Sequence, residues 1–186
     1  AFIGVRPCDL AAIAVQDRVF IRDDYTDPIY RARRQNLFIL AANCLHPAAT
    51  CFCASMNTGP KASGSFDLCL TELEDVFLLE VGSELGRSVL ADLPGQPASA
   101  FLLRAAQQGL ERAAHQMGRT LDTSDLPALL LDNPEHPHWS EVAARCLSCA
   151  NCTQVCPTCF CWDAVDHTDV KGEMTQRERV WDSCFN

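Results

Sequence analysis

Cys146, Cys149, Cys152 and Cys156-Pro157 spell C-x2-C-x2-C-x3-C-P, and few folds are open to a segment spaced in this way. The spacing is that of a 4Fe–4S site. A cubane needs thiolates that converge from several directions, and two-residue gaps wrap a short loop around one face of it. The longer third gap throws the fourth cysteine clear, and the proline turns the chain away. A chain holding such a group is a candidate electron carrier.

Zinc and disulfides are the competing uses of clustered cysteines. Zinc favours two C-x2-C pairs separated by a longer spacer, whereas here three cysteines follow in tight succession before Cys-Pro. In two-cluster ferredoxins the Cys-Pro cysteine ligates the other cluster. Cys156 would then join a second triple that these 186 residues do not contain. Either one of Cys159, Cys161 and Cys184 completes the first cluster, or the missing ligands lie downstream of Asn186. The expected complement is one 4Fe–4S cluster, with a second or third open.

Apolar residues make up 48% of the chain, enough for an ordinary core, and no run of 18 apolar residues suggests a membrane span. No signal-peptide pattern opens the chain. Twelve cysteines would read as disulfides in an exported protein. With this spacing they read as thiolate ligands in a cytoplasmic one, from an organism that lives at least partly without oxygen. Net charge is −9, and it is uneven: residues 1–36 balance at +1 and residues 37–186 at −10. That excludes a nucleic-acid role, which demands a basic face. An acidic surface serves solubility or steers a basic partner. The chain opens at Ala1-Phe2-Ile3 as if inside a strand and stops just after Cys184, which reads as a fragment of a longer polypeptide.

Along the chain, Phe2–Val5 predicts a strand and Asp9–Val15 a helix with Asp9 as N-cap, placing Cys8 at the turn between them. Residues 22–36 predict a loop and then a basic helix. Leu37–Ala42 is the best buried strand, followed directly by Asn43-Cys44. Residues 45–66 form a long loop, and loops of that length are functional or pinned. Strands are expected at 67–73 and 76–81, and helices at 84–93 behind a Ser83 cap and at 98–117, the latter with Leu102, Leu103, Ala106, Leu110, Ala113 and Met117 on one face. Residues 119–137 read as a linker with an apolar patch at 126–131, and residues 139–145 as a short helix delivering Cys146. The expected class is α+β: an α/β domain over 1–135, with a possible extra iron–sulfur site, then a cysteine-rich helical module over 136–186.

A second cysteine set consists of Cys8, Cys44, Cys51 and Cys53. The first two each follow a strand candidate, so both can stand at one sheet edge. Four thiolates at a strand-end crevice would make a second cluster site, while four buried cysteines would simply be small apolar residues. Cys44-x6-Cys51-x-Cys53 recurs as Cys152-x6-Cys159-x-Cys161, either a duplicated ligand loop or chance in a Cys-rich chain. Cys69 falls mid-strand and reads as core. His136, His138 and His167 read as solvated loop residues. Gly82-Ser83-x-x-Gly86 reads as a helix cap more readily than as an anion site, and there is no dinucleotide or ATP motif.

Taken together, Gly4-Val5-Arg6-Pro7-Cys8-Asp9-Leu10, Cys51-Phe52-Cys53, Gly59-Pro60, Gly64-x-x-Asp67, the run Arg145 to Cys161 and Trp181-Asp182-Ser183-Cys184-Phe185 resemble the 4Fe–4S dicluster family. That family includes sulfhydrogenase (hydrogenase/sulfur reductase) β subunits and anaerobic sulfite reductase A subunits. The resemblance implies an electron-transfer subunit of a cytoplasmic oxidoreductase complex. Its partners would be a flavin/NAD(P)-binding subunit and a catalytic hydrogenase or reductase subunit. It also implies an α-helical, ferredoxin-like C-terminal module, a second C-x2-C-x2-C-x3-C-P beyond residue 186, and more chain before residue 1. No catalytic residue is implied. Two rival functions remain: a zinc-stabilised interaction module, and a reductase acting on sulfur species at the Cys8/Cys44/Cys51/Cys53 site.

Overall fold

The computed structural model describes residues 1–159 and 161–182, and these divide into two compact units, Ala1–Leu126 and Pro127–Asn186. Both helices and strands are present, so the α+β expectation holds at the level of class.

The first unit is built on a four-stranded sheet in the order β1 (Phe2–Val5), β2 (Ile39–Ala42), β3 (Leu68–Glu72), β4 (Phe77–Val81). The first three strands run parallel and β4 is antiparallel to β3. Gly4, at φ +79, sits where the β1–β2 register shifts, a backbone geometry that favours glycine. β1 feeds α1 (Pro7–Phe20) without a side-chain cap: Pro7 fills the first helical position, where its missing N–H costs nothing. Asp9 therefore lies inside the first turn, not at the cap, and Cys8 is helical, because the helix starts as soon as Arg6 can lend its carbonyl to the amides of Asp9 and Leu10. Asp27 caps α2 (Pro28–Gln35) by accepting the amides of Ile29 and Tyr30. Arg34 and Tyr30 of α2 both reach Asp17 of α1, at 3.1 and 2.8 Å.

Leu10, Ile39, Ala41, Ala62 and Cys69 make the core, with Val5, Ile13, Leu37 and Phe66 packed around it. Cys69 is 2% exposed, and burial, with Glu80 adding to it, pushes its thiol up to about 11; it is core, as its mid-strand position predicts. Ser83 caps α3 (Glu84–Ala91) by accepting from Gly86, and donates its hydroxyl to Asp67. Both polar groups at that turn are thus consumed by the cap. α4 (Ala100–His115) buries Ala106, Gly109, Leu110 and Ala113. Leu103, predicted on that face, is exposed.

Residues 45–66 contain neither helix nor strand, yet they are held throughout. Gly109 of α4 packs so closely on Leu45 that an added Cβ would stand 3.1 Å from that side chain. Arg119 donates to the Cys51 carbonyl, Leu121 to the Ser55 hydroxyl, and the Ala54 amide to the Met117 sulfur. At the other end Asn43 is the anchor. Its Nδ2 donates to Thr71 Oγ1 at 2.8 Å, its Oδ1 accepts from the Ala62 amide at 2.7 Å, and its own amide donates to Leu70.

In the second unit α5 (Leu126–Leu131) converts the predicted apolar patch of the linker into one short helix. It is followed by α6 (Pro137–Ala144), α7 (Asn151–Val155) and an antiparallel hairpin, β5 (Trp162–Thr168) with β6 (Thr175–Trp181). "Helical" therefore describes only the part of this unit before residue 156. The hairpin turns on Asp169, whose carboxylate accepts from Glu173 and Met174, and on Gly172 at φ +70. Asp166 and Arg177 pair across it through two 2.7 Å bonds. Among the described residues no helix is long and apolar enough to cross a membrane.

Asn43→Ala leaves a buried Thr71 hydroxyl and the Ala62 amide unpaired. It is expected to cost about 1–3 kcal/mol, read by urea unfolding of the whole chain. Tyr30 supplies a pH signature: burial, then its bond to Asp17, push it up to about 12. Since its unfolded value is about 10, its contribution is intact below that pH and is lost as pH rises from about 10 toward 12. The unfolding midpoint should fall more steeply across that window in the native chain than in Tyr30→Phe.

Candidate iron–sulfur site

Cys146, Cys149 and Cys152 line one cavity of about 660 Å³, together with Ser148, Ala150 and Asp182. The backbone arranges this. Ser148 (φ 50) and Ala150 (φ 56) are both left-handed, and each reverses the local direction of the chain, bringing every third residue back to the same wall. The Ser148 amide turns inward and donates to Cys146 Sγ at 3.4 Å. Ala150 is also the N-cap position of α7, so the turn that presents Cys149 starts the helix that presents Cys152. All three cysteines are exposed on the cavity wall and free.

Cys156 follows a different rule. It is the C-cap of α7 at φ −75, ψ 112, the extended geometry forced on a residue before proline. Pro157 thereby turns Cys156 out of the helix, where it contacts Thr158 at 3.4 Å and is absent from the residues lining the cavity. Cys159 and Cys161 do not line it either. Cys159 Sγ accepts the Trp181 indole N–H at 3.3 Å, and this bond, followed by the Cys161 amide, holds its thiol below the usual range. Cys184, the third candidate for completing the set, lies outside the described residues, as does Phe160 of the repeated Cys-Phe-Cys. Of the three histidines, His138 meets Glu141 and His167 meets Glu178 at the surface. Sequence reasoning missed Asp182 on the cavity wall. The hairpin brings it there: β6 returns to the cysteine loop and the Asp182 amide donates to the Cys161 carbonyl.

These donors fit an iron–sulfur cluster by chemistry and by spacing. Three thiols face one cavity with an amide aimed at a sulfur. Among the described residues no three His, Cys, Asp or Glu groups are close enough to hold a single ion.

In the first unit, Cys8 lies in the first turn of α1, Cys44 just past β2, and Cys51 and Cys53 on the pinned loop. Cys8 is exposed and the other three are half-buried. Burial pushes the Cys53 thiol up, and Cys8, Cys51 and Cys44 each push it further by like charge. The four thiols therefore share one neighbourhood.

Residues 145–186 match the 4Fe–4S dicluster domain family. Over 189 aligned positions the chain is 34% identical to sulfhydrogenase 2 subunit beta of Pyrococcus furiosus, across 98% of this chain and 54% of that protein. The chain thus spans about half the length of the curated relative it matches. No solved structure matches it.

Ala150→Val places a β-branched residue in left-handed backbone. It is expected to lower the iron and sulfide retained by anaerobically prepared protein, while Ala150→Gly retains them in full.

Proposed function

We propose, from the match of residues 145–186 to the 4Fe–4S dicluster domain family, that the chain is the electron-relay subunit of a cytoplasmic oxidoreductase complex of the hydrogenase/sulfur reductase or sulfite reductase type. Iron–sulfur binding is the family's property. The observation that carries the relay reading is the convergence of Cys146, Cys149 and Cys152 on one cavity. Residues 1–135 act as the α/β domain and 136–186 as the ferredoxin-like module. Its electrons come from a flavin/NAD(P)-binding subunit and leave to a catalytic subunit, or travel the reverse route.

A bound cluster supplies reversible one-electron transfer. The chain's residues do the rest. Cys146, Cys149 and Cys152 provide thiolates, and the Ser148 N–H stabilises charge on the Cys146 sulfur. Cys156, turned out by Pro157, is presented to a second cluster or to ligands from further chain. Asp182 sets a carboxylate at the cavity wall, and the negative balance of residues 37–186 steers a basic redox partner toward the chain. A relay needs no acid–base residue, so substrate chemistry belongs to the partner.

The test is an anaerobic preparation assayed for iron, zinc and acid-labile sulfide, then titrated with dithionite. The expected result is brown protein that bleaches as it takes up about one electron per cluster. Cys149→Ala should remove about four irons and four sulfides. Zinc without sulfide, in protein never exposed to oxygen, would sink the relay and leave a zinc module.

A further inference from the structure

We propose that Cys8, Cys44, Cys51 and Cys53 ligate a further 4Fe–4S cluster at the carboxyl-end edge of strands β1 and β2, independently of the Cys146–Cys156 motif. The topology makes the first placement. β1 and β2 are neighbouring parallel strands, with Val5 opposite Ala41. Cys8 follows the end of β1 at Val5, and Cys44 follows the end of β2 at Ala42. Parallel strands about 4.8 Å apart therefore deliver both cysteines to the same edge, the edge at which open α/β sheets bind their ligands.

The loop makes the second placement. A Cβ on Gly59 would stand 2.9 Å from Cys53 Sγ and 3.3 Å from Pro7 Cβ, so Gly59 packs against both the Cys53 thiol and the residue that precedes Cys8. The next residue, Pro60, accepts the Cys44 amide at 3.1 Å. Gly59-Pro60 thus runs among three of the four cysteines, and glycine is what lets them close in. Met117 backs the fourth side, its sulfur 3.8 Å from Cys53 Sγ. Cys51 is tied by its carbonyl to Arg119. A loop with no helix or strand of its own has been fastened at both ends and along its length, with the cysteines at the fastenings.

Burial separates these cysteines from packing residues. The core cysteine, Cys69, is 2% exposed, whereas the four here are exposed or half-buried and free. Thiols that merely fill a core do not gather at a strand-end edge in reach of solvent. Four soft thiolates are a donor set that iron–sulfur clusters use. Transfer of a preformed cluster from a thiolate carrier breaks four Fe–S bonds to the carrier and forms four to these cysteines; the four cysteine protons pass to the departing carrier thiolates, with no net electron transfer.

The experiment uses the full chain carrying Cys146→Ala, Cys149→Ala and Cys152→Ala, prepared anaerobically. About four irons and four sulfides per chain should remain, with a paramagnetic signal after dithionite reduction. Adding Cys53→Ala should abolish both. A colourless triple variant with native circular dichroism and a cooperative unfolding transition would overturn the proposal. Should the triple variant not fold, Cys53→Ser in the otherwise native chain decides: a fall from about eight irons to about four supports the site, and unchanged iron overturns it. Iron lost with the Cys53 variants but unchanged by substitution of Cys146, Cys149 and Cys152 would sink the relay assignment above while leaving this one standing.

Discussion

Asn43 is one residue long in sequence and three contacts wide in space. Its side-chain amide spans from Thr71 on β3 to Ala62 on the long loop, while its backbone amide extends the β2–β3 ladder to Leu70. Thr71 is buried, so these bonds exchange in a place where water cannot replace them, and losing either partner strands a polar group. A segment of twenty-odd residues without secondary structure loses much conformational entropy when it is held to one course. It keeps one course because Asn43 holds it to the sheet at one end and Met117, Arg119 and Leu121 hold it at the other. Cys44 is the residue next to Asn43, so the same bonds that tether the loop aim the cysteine.

The two cysteine sets solve one problem in two ways. At Cys146–Cys156 the chain brings its own thiols together locally: two left-handed residues, Ser148 and Ala150, and one proline do the turning. That arrangement needs almost no tertiary support, in keeping with a unit whose cysteine loop is largely exposed. At Cys8, Cys44, Cys51 and Cys53 the thiols come from a helix start, a strand end and a loop. Only the parallel pairing of β1 with β2 and the packing of α4 on the loop bring them into reach. A local site can travel with its segment, whereas a composite one exists only when the sheet is formed.

The hairpin β5–β6 was the least legible element. Along Trp162–Thr168 and Thr175–Trp181 nearly every residue is exposed, so no apolar alternation marks a buried face. Its stability comes from cross-strand pairs such as Asp166 with Arg177 and from the Asp169 turn, which are pairings between residues apart in sequence. For the same reason the proximity of Trp181 to Cys159 and of Asp182 to the cysteine cavity had no sequence signal. The start of α1 differs from its expected place for a smaller reason: Pro7 opens the helix unaided, so no cap at Asp9 is needed.

What the sequence determined by itself is whatever depends on neighbours in the chain: the C-x2-C-x2-C-x3-C-P loop, the exit of Cys156 before Pro157, the buried β2 run and the Ser83 cap. Those follow from backbone sterics and hydrophobic period, which act over a few residues. Cys69 was legible as core from its mid-strand place, whereas the tertiary structure alone decided that Cys8, Cys44, Cys51 and Cys53 are not buried packing residues but exposed or half-buried thiols in one neighbourhood. It also decided that Cys159 and Cys161 stand off the cavity that Cys146, Cys149 and Cys152 line. A thiol's role depends on which other donors reach it and how much water remains, and both are properties of strand pairing and packing between residues far apart in the chain.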